Sequence, residues 1–450
     1  MRRIVVIGGG ISGLAAAWTA RATAGADTDI LVLERGAAIG GKAQTVVRDG
    51  WLVETGPTGY LSTHAEVERL VDAAGLRGEV VRANASAARR FVYHAGRMRR
   101  ITSNPFGLVV NGILSPSGAF RILREPWIPR RAADDDESVW AFANRRLGSE
   151  VADRLVAPMA QGVFAGDARQ LSLRAAFPKM AALERDYGSL IRALIARRGR
   201  MAAGRLQSFR SGMQALPRAL ATSGAFTVRC NSDVNRIERN GEQWLVTVAD
   251  AKPVVTDVLI VAADVSHLAQ LISPVAPTAA RQVESIPAPH VAVVALGFTD
   301  DAAGRVPQGF GVLIRRGEGV RALGHLWDSR IFPGRAPENG ALLRAIYGGA
   351  VDPVIADVTG GELLSIARDE AKKLYGIAAE PAFTHVTRWA HAIPQYVLGH
   401  RGRVAQAEEA LQLVPGVLLA GSALHGISFG DAVASGVRAG MAAVRLIAAL

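Results

Sequence analysis

"IVVIGGGISGL" occupies residues 4–14, and its reading decides the fold. The apolar run at 3–7 has the pattern of a strand buried on both faces of a parallel sheet, and residues 12–24 read as a helix. Between them lies Gly8-x-Gly10-x-x-Gly13. The first glycine permits the turn, the second lets a pyrophosphate approach the backbone, and the third lets helix and strand pack closely. With Gly9, Ile11 and Ser12 completing the turn, the helix offers its N-terminus to phosphate charge. "DILVL" at 29–33 supplies the next strand of a βαβ unit. Glu34 ends it, 21 residues after Gly13, where a carboxylate can accept hydrogen bonds from ribose hydroxyls.

The pattern continues as Glu34-Arg35-x4-Gly40-Gly41-Lys42, a long glycine-punctuated turn. Simple nicotinamide dehydrogenases lack it, and many flavoproteins run it beside the pyrophosphate. "ETGPTGY" at 54–60 adds another bare-backbone loop. A second strand, glycine turn and helix then return near the other end, in "LLAGSALHGISFGDAVASG" at 418–436. A flavin ring extends far from its adenine, so a distant segment must close over it. The turn at Gly421-Ser422 and the helix beginning near 428–431 can do that, with backbone N–H groups facing the negative charge of a reduced flavin. The expected cofactor is FAD, gripped by both ends of the chain.

A chain of 450 residues predicts two or three domains, and 49% hydrophobic with 20% charged residues is a globular composition. The single cysteine, Cys230, excludes an internal disulfide and a dithiol redox centre, so electrons that move here ride on a bound cofactor. The net charge of +12 comes without basic runs interleaved with aromatics and without zinc-ligand spacing, which argues against nucleic acid. Nine arginines and one acid, Glu125, fall in 89–131 around "FGLVVNGIL". That suits contact with an anionic bilayer surface, or equally a solvated helical face beside a core helix. The apolar piece is too short to span a hydrocarbon core of ~30 Å. Glycines at 8, 9, 10 and 13 interrupt the apolar start that would otherwise imitate a signal peptide. The expectation is a cytoplasmic protein, peripheral on a membrane at most, as monomer or homodimer.

Elsewhere, residues 136–159 and 183–203 show helical spacing, and "SDVNRIERNGEQWLVTV" at 232–248 predicts a hairpin turning on Asn240-Gly241. "VVTDVLIVAAD" at 254–264 reads as one strand, and 290–350 as longer strands with Gly/Pro turns. "GISFG" at 426–430 matches a serine-hydrolase nucleophile elbow, but no histidine follows Ser428 as that chain order requires. His385, His391 and His400 are spaced six and nine apart, unlike ligands on a helix face. No second G-x-G-x-x-G follows a strand, so no nicotinamide site is expected. The flavin would be reduced by the substrate and reoxidised by oxygen or another acceptor.

Residues 145–178 ("RRLGSEVADRLVAPMAQGVFAGDARQLSLRAAFP"), 388–400 ("RWAHAIPQYVLGH") and 421–436 resemble protoporphyrinogen oxidases, as do "RFVY" at 90–93 and "QGFGVLI" at 308–314. The resemblance implies an α/β fold: a Rossmann-type FAD-binding domain of the flavin amine oxidase superfamily (1–84, 206–268, 400–450), a mixed-sheet substrate domain (85–100, 269–399) and a helical, membrane-facing lobe (101–205). It implies oxidation of protoporphyrinogen IX to protoporphyrin IX, with six hydrogens removed, oxygen as acceptor, and no catalytic side chain beyond the flavin N5 chemistry. Coproporphyrinogen III is the nearest alternative substrate, an amine oxidase or desaturase is more remote, and a flavin-holding porphyrin carrier is the non-enzymatic one. By position, Arg90 would pair with a propionate, Phe310 and Leu313 would clamp pyrrole rings with Ile346 beside them, and Gly162 would bring bare backbone to the macrocycle. Gly56, Pro57, Thr58 and Gly59 would line the flavin ring, Val234 would meet the adenine through its backbone, and Ser422, Ile427, Ser428 and Phe429 would sit against the isoalloxazine. Ala432, Ala423-Leu424 and "RITSNPFGL" at 100–108 depart from the family's usual residues, and bear on the substrate pocket rather than on the flavin.

Overall fold

The computed structural model describes residues 2–25, 27–131, 136–197 and 204–450. Its first layer is a five-stranded parallel sheet in the order Thr227–Arg229, Thr28–Leu33, Arg2–Ile7, Val258–Val261, Val417–Leu419. The side-chain alternation of a strand sends Ile4 and Val6 into one core and Val5 and Ile7 into another, which is why the whole run is apolar. Helices Ile11–Thr23 and Phe429–Ala449 cover the first face. A three-stranded antiparallel layer (Val234–Asn240, Gln243–Val248, Val254–Thr256) and helices Val265–Ile272 and Pro277–Glu284 cover the second.

The two covering helices of the first face meet backbone to backbone. A Cβ added at Gly436 would lie 2.1 Å from the Ser12 carbonyl oxygen, and one at Gly440 would lie 2.4 Å from that of Ala16. Among the described residues, Phe429–Ala449 is the one helix long and apolar enough to cross a membrane by length and composition. Here its small-residue face lies on the N-terminal helix, as in the core of a globular protein.

The second main layer is a seven-stranded sheet ordered Phe383–Trp389, Val291–Phe298, Ala341–Gly348, Gly324–Leu326, Gly311–Ile314, Arg90–His94, Arg97–Arg100. Only Gly311–Ile314 and Arg90–His94 pair in parallel. One face packs on helix Gly360–Tyr375 around Val294, Leu296, Leu343 and Tyr347. The other face packs through Ala295 and Leu342 on Trp51 and Val53 of the hairpin Thr45–Arg48, Trp51–Glu54. Short helices between Pro105 and Ala196 form a separate lobe beside Val92 and Leu313.

Four local readings are corrected. The 136–159 helix is broken by Gly148 at φ +93° and contains a wider, π-type turn at Ala152–Val156. The second helical stretch is two helices, Pro178–Tyr187 and Leu190–Ala196, separated by Gly188 at φ +69°; its last part, 198–203, lies outside the described residues. The hairpin forms, but Asn240 pairs with Gln243, so the turn is Gly241-Glu242 and only Gly241 takes positive φ. The expected single strand at 254–264 splits at Asp257, because Val254–Thr256 belongs to the antiparallel layer and Val258–Val261 to the parallel sheet. The Asp257 carboxylate secures the crossing by accepting the Arg3 amide at 2.7 Å.

Candidate active site

At the end of the first strand Gly8 turns with φ +110°, and a Cβ there would strike the Ala262 carbonyl oxygen at 2.5 Å. One at Gly13 would lie 1.9 Å from the Gly8 carbonyl oxygen, so helix and turn touch directly. Gly10 differs: a Cβ would meet nothing nearer than Gly41 Cα at 3.8 Å. Protein packing does not require that glycine, and the space beside it borders a helix start with no side-chain cap. That is the cradle a diphosphate needs. The Gly9 and Gly36 amides donate to the two oxygens of Glu34 at 2.6 and 2.7 Å, which fixes the carboxylate and leaves each oxygen a lone pair for a hydroxyl. Gly41, at φ +58°, lies against Gly10. Lys42 follows, its ammonium pushed down to about 8 by burial, with Asp264 opposing and Arg35 reinforcing that shift. Arg35 pairs with Asp264 at 2.8 Å.

The loop containing Gly56, Pro57, Thr58 and Gly59 lies between the large sheet, the turn at Lys42 and the strand Leu206–Phe209. A Cβ at Gly56 would fall 2.0 Å from the Lys42 carbonyl oxygen, and one at Gly59 would fall 2.4 Å from that of Gln207. Trp389 donates its indole N–H to the Thr55 carbonyl at 2.8 Å, and the fully buried Arg344 donates to Gly56 O at 2.9 Å and to the Thr58 hydroxyl. Glu54, at the start of the loop, has its carboxyl raised to about 6 by burial, against the pull of Arg335 and hydrogen bonds from Thr45 and Met213.

At the other end of the chain Gly421 turns with φ +117° and donates to Ser435 Oγ at 3.1 Å. The Tyr396 hydroxyl donates to Ser422 O and accepts the Gly426 amide, both at 2.7 Å. Its ring stacks at 3.9 Å on His400, whose Nε2–H reaches Leu424 O at 3.0 Å. Ser428 caps the final helix in a reciprocal box with Asp431. The Asp431 carboxylate accordingly occupies part of the helix end that was expected to face the flavin. Ile427 packs with Phe164, Tyr396 and Ile393. The Phe429 side chain turns into the core, 6.2 Å from Tyr60, so only its backbone can face the site. Val234 lies in the second core, which also holds Ile7, Leu33 and Ala423, and its carbonyl accepts from His267 at 2.9 Å.

His400 gives a pH prediction. Burial pushes its imidazole down to about 4, so the unfolded chain takes the proton first. The His400 contribution to stability should fall as pH drops from about 6.5 toward 4, by roughly 3 kcal/mol, and be exhausted below that. Melting temperatures of wild type and His400→Gln across that window check this: the variant should lose much of the slope.

Strand register fixes the sheet face opposite the 56–59 loop. Val92, Leu313, Gly324, Ile346 and Val293 form one row across the large sheet, and Arg90, Gly311, Leu326 and Arg344 form the next row on the same face. Gly162 meets Leu313 directly, since a Cβ there would lie 2.5 Å from Leu313 Cδ2. The exposed guanidinium of Arg90 stands over the Phe310 ring at 5.2 Å, and among the described residues no carboxylate pairs with it. Phe310 clusters with Leu206 and Phe332, which in turn touch Gly59, while Ile346 clusters with Trp389. The loop at 56–59 therefore has Arg90–Phe310 on one flank and Ile346–Trp389 on the other.

The sequence profile described as flavin containing amine oxidoreductase matches residues 11–444. The chloroplastic protoporphyrinogen oxidase of Oryza sativa subsp. japonica is 32% identical over 95% of this chain and 85% of its own. The coproporphyrinogen III oxidase of Propionibacterium freudenreichii subsp. freudenreichii is 30% identical over 96% and 88%. The chain belongs to the protoporphyrinogen/coproporphyrinogen oxidase family. A solved protein from Exiguobacterium sp. 255-15 shares this family member's fold at a TM-score of 0.88 and 25% identity, with 99% of both chains covered. Cyclohexylamine oxidase from Brevibacterium oxydans IH-35A shares the fold at 0.73 and 20% identity. The protein is thus a flavoenzyme of the oxidoreductase class with FAD as cofactor, and the open space at Gly10 beside an uncapped helix fits that group.

Arg344, Asp328, Trp389, Tyr396 and His400 hold the 54–58 and 421–428 loops. Trp389, Tyr396 and His400 fall in the 388–400 stretch that carries the resemblance, but Arg344 and Asp328 stand in no motif. Arg344 leaves one trace, an arginine inside the otherwise apolar strand "ALLRAIYG". A charge there demands a buried partner, which the sequence cannot name.

Proposed function

We propose that the protein oxidises protoporphyrinogen IX to protoporphyrin IX, with oxygen as the terminal acceptor. Bound FAD supplies the hydride-accepting chemistry. The observation that carries the reading is Arg90, a guanidinium with no carboxylate partner among the described residues, at the edge of the apolar row Val92, Leu313, Ile346 and Val293 and next to the loop assigned to the flavin ring; Arg344, the other arginine on that face, is taken up by Asp328 and the loop. A substrate with propionates along one side and apolar substituents elsewhere matches that asymmetry. Arg90 binds a propionate, with Phe310 beneath restricting its swing. Phe310 and Leu313 hold pyrrole rings, with Ile346 beside them across the gap left by Gly324, and Gly162 keeps its helix close on Leu313. Gly8, Gly10, Gly41 and Glu34 hold the diphosphate and ribose, Val234 the adenine, and Gly421, Ser422 and Ile427 the far side of the ring. No side chain is required to carry the redox step; the protein orients its reactants and excludes water.

Steady-state porphyrin formation tests this: kcat/KM for protoporphyrinogen IX should exceed that for coproporphyrinogen III, and a reversed ratio would install the second reading. That reading, coproporphyrinogen III with four propionates, is favoured by the names of bacterial relatives such as the Bacillus subtilis protein, 29% identical over 97% of this chain. An amine oxidase has less support, because Trp389 brings the 388–400 stretch onto the flavin loop.

Peripheral membrane contact belongs to the same proposal. Phe106, Phe120, Trp127 and Ile195 are 77, 62, 77 and 69% exposed on the helical lobe, with Arg124 and Arg130 also exposed nearby. Sedimentation with phosphatidylglycerol-containing vesicles should pellet the protein in low salt, and Phe106→Ser with Trp127→Ser should reduce the bound fraction about tenfold. Equal pelleting of both proteins would contradict it.

A further inference from the structure

Four charged side chains are buried between the cofactor loop and the large sheet. Arg344, on strand Ala341–Gly348, makes two parallel hydrogen bonds to Asp328, at 2.8 and 3.0 Å. Its remaining donors go to the loop: the carbonyls of Glu54 and Gly56 and the hydroxyl of Thr58. Arg335, also buried, lies 3.6 Å from the Glu54 carboxylate and donates to Ser208 Oγ and Phe209 O at 2.8 and 3.0 Å. Such a quartet is a costly way to gain stability, because desolvating each charge offsets most of the attraction, and apolar residues of similar size often serve as well. What it supplies instead is fixed direction. Guanidinium and carboxylate planes lock each other, and a bidentate pair tolerates little rotation.

That direction is informative about the loop. The carbonyls of residues 54 and 56 point at Arg344, and that of Thr55 points at the Trp389 indole. Three consecutive acceptors are thus turned to the sheet. Among the described residues, the amides of Gly56 and Thr58 donate to no protein group, and Pro57 has none to offer. Arg344 also lies two residues before Ile346 on the same face of the same strand. One strand therefore carries both the anchor of the cofactor loop and part of the apolar row facing it.

We infer that Arg344, locked by Asp328, is a positioning residue: it turns the acceptors of the 54–58 loop toward the sheet, leaves the Gly56 and Thr58 amides free for the flavin, and fixes that loop's distance from the Leu313–Ile346 row. The inference rests on the reading that this loop lines the flavin ring, but not on which porphyrinogen is used.

The test uses the FAD-loaded protein and three variants: Arg344→Lys, Thr58→Val and Pro57→Trp. Folding is followed by circular dichroism and melting. FAD dissociation constant, visible band shape and midpoint potential are read beside kcat and KM. Arg344→Lys should stay folded, shift the band and the potential, weaken FAD binding, and lose about tenfold to a hundredfold in kcat with a smaller change in KM. Thr58→Val, which removes one acceptor of the same guanidinium, should move the spectrum and potential in the same sense by less. Pro57→Trp should quench the bound flavin's fluorescence. Without quenching, the loop does not line the ring and the inference falls with that reading. With quenching, wild-type band, potential and kcat in both Arg344→Lys and Thr58→Val would overturn the positioning role alone. If Arg344→Lys does not fold, the Thr58→Val spectrum and potential decide.

Discussion

Gly13→Val should yield a colourless protein. The first added carbon would stand 1.9 Å from the Gly8 carbonyl oxygen, within the turn that must bend toward the diphosphate, with a further contact to Val6 at 3.2 Å. Neither neighbour can give way cheaply: one is backbone, and the other is a fully buried side chain of the central strand. The N-terminal helix would have to lift from the sheet. Along its flank it touches Phe429–Ala449 through Gly436 and Gly440, so the displacement is passed to the C-terminal half of the site. Overpacking of this kind costs about 1–3 kcal/mol in a well-packed core, and more where backbone is the obstacle. The expected result is loss of bound FAD, measured by flavin absorbance per chain, with a melting point at least several degrees lower. Retention of stoichiometric FAD would show that the helix end is not where the diphosphate sits.

Arg90→Ala should separate substrate handling from cofactor handling. The side chain is exposed, touches Phe310, and among the described residues forms no ion pair, so its removal leaves the cores intact. A charge-assisted pair with a propionate is worth about 1.5–3 kcal/mol, which predicts a fall of about tenfold to a hundredfold in kcat/KM for porphyrinogen. FAD content and melting temperature should match wild type. Arg90→Lys should recover part of the loss, because an ammonium keeps the charge without the bidentate fork. Unchanged kcat/KM in Arg90→Ala would mean that the substrate enters with its acidic side elsewhere.

Much of this architecture was legible because it is local. Residues 3–34 carry strand, turn, helix, strand and carboxylate in one run, and the structure returns them as Arg2–Ile7, Ile11–Thr23 and Thr28–Leu33 with Glu34 held by two amides. The return of the chain at 417–449 was legible too, since a second glycine turn before a helix has few other uses. What escaped depends on distant partners. Asp257 looks like one polar residue in an apolar strand; only the arrival of Arg3, 254 residues away, makes it the point where the chain changes sheets. Arg344 likewise finds Gly56 and Thr58 almost 300 residues earlier. The Asn240-Gly241 hairpin was placed one residue early because strand register, which the dipeptide does not encode, put Asn240 opposite Gln243.

The central claim is that both ends of the chain hold one FAD whose ring faces an apolar, arginine-edged chamber built for a porphyrinogen. Anaerobic mixing of the purified protein with protoporphyrinogen IX tests it most directly, with the visible flavin absorbance followed in a single turnover. The account predicts rapid bleaching by protoporphyrinogen, slower bleaching by coproporphyrinogen III, and none by a simple amine. A yellow protein that keeps its absorbance with both porphyrinogens and loses it with the amine would contradict the account.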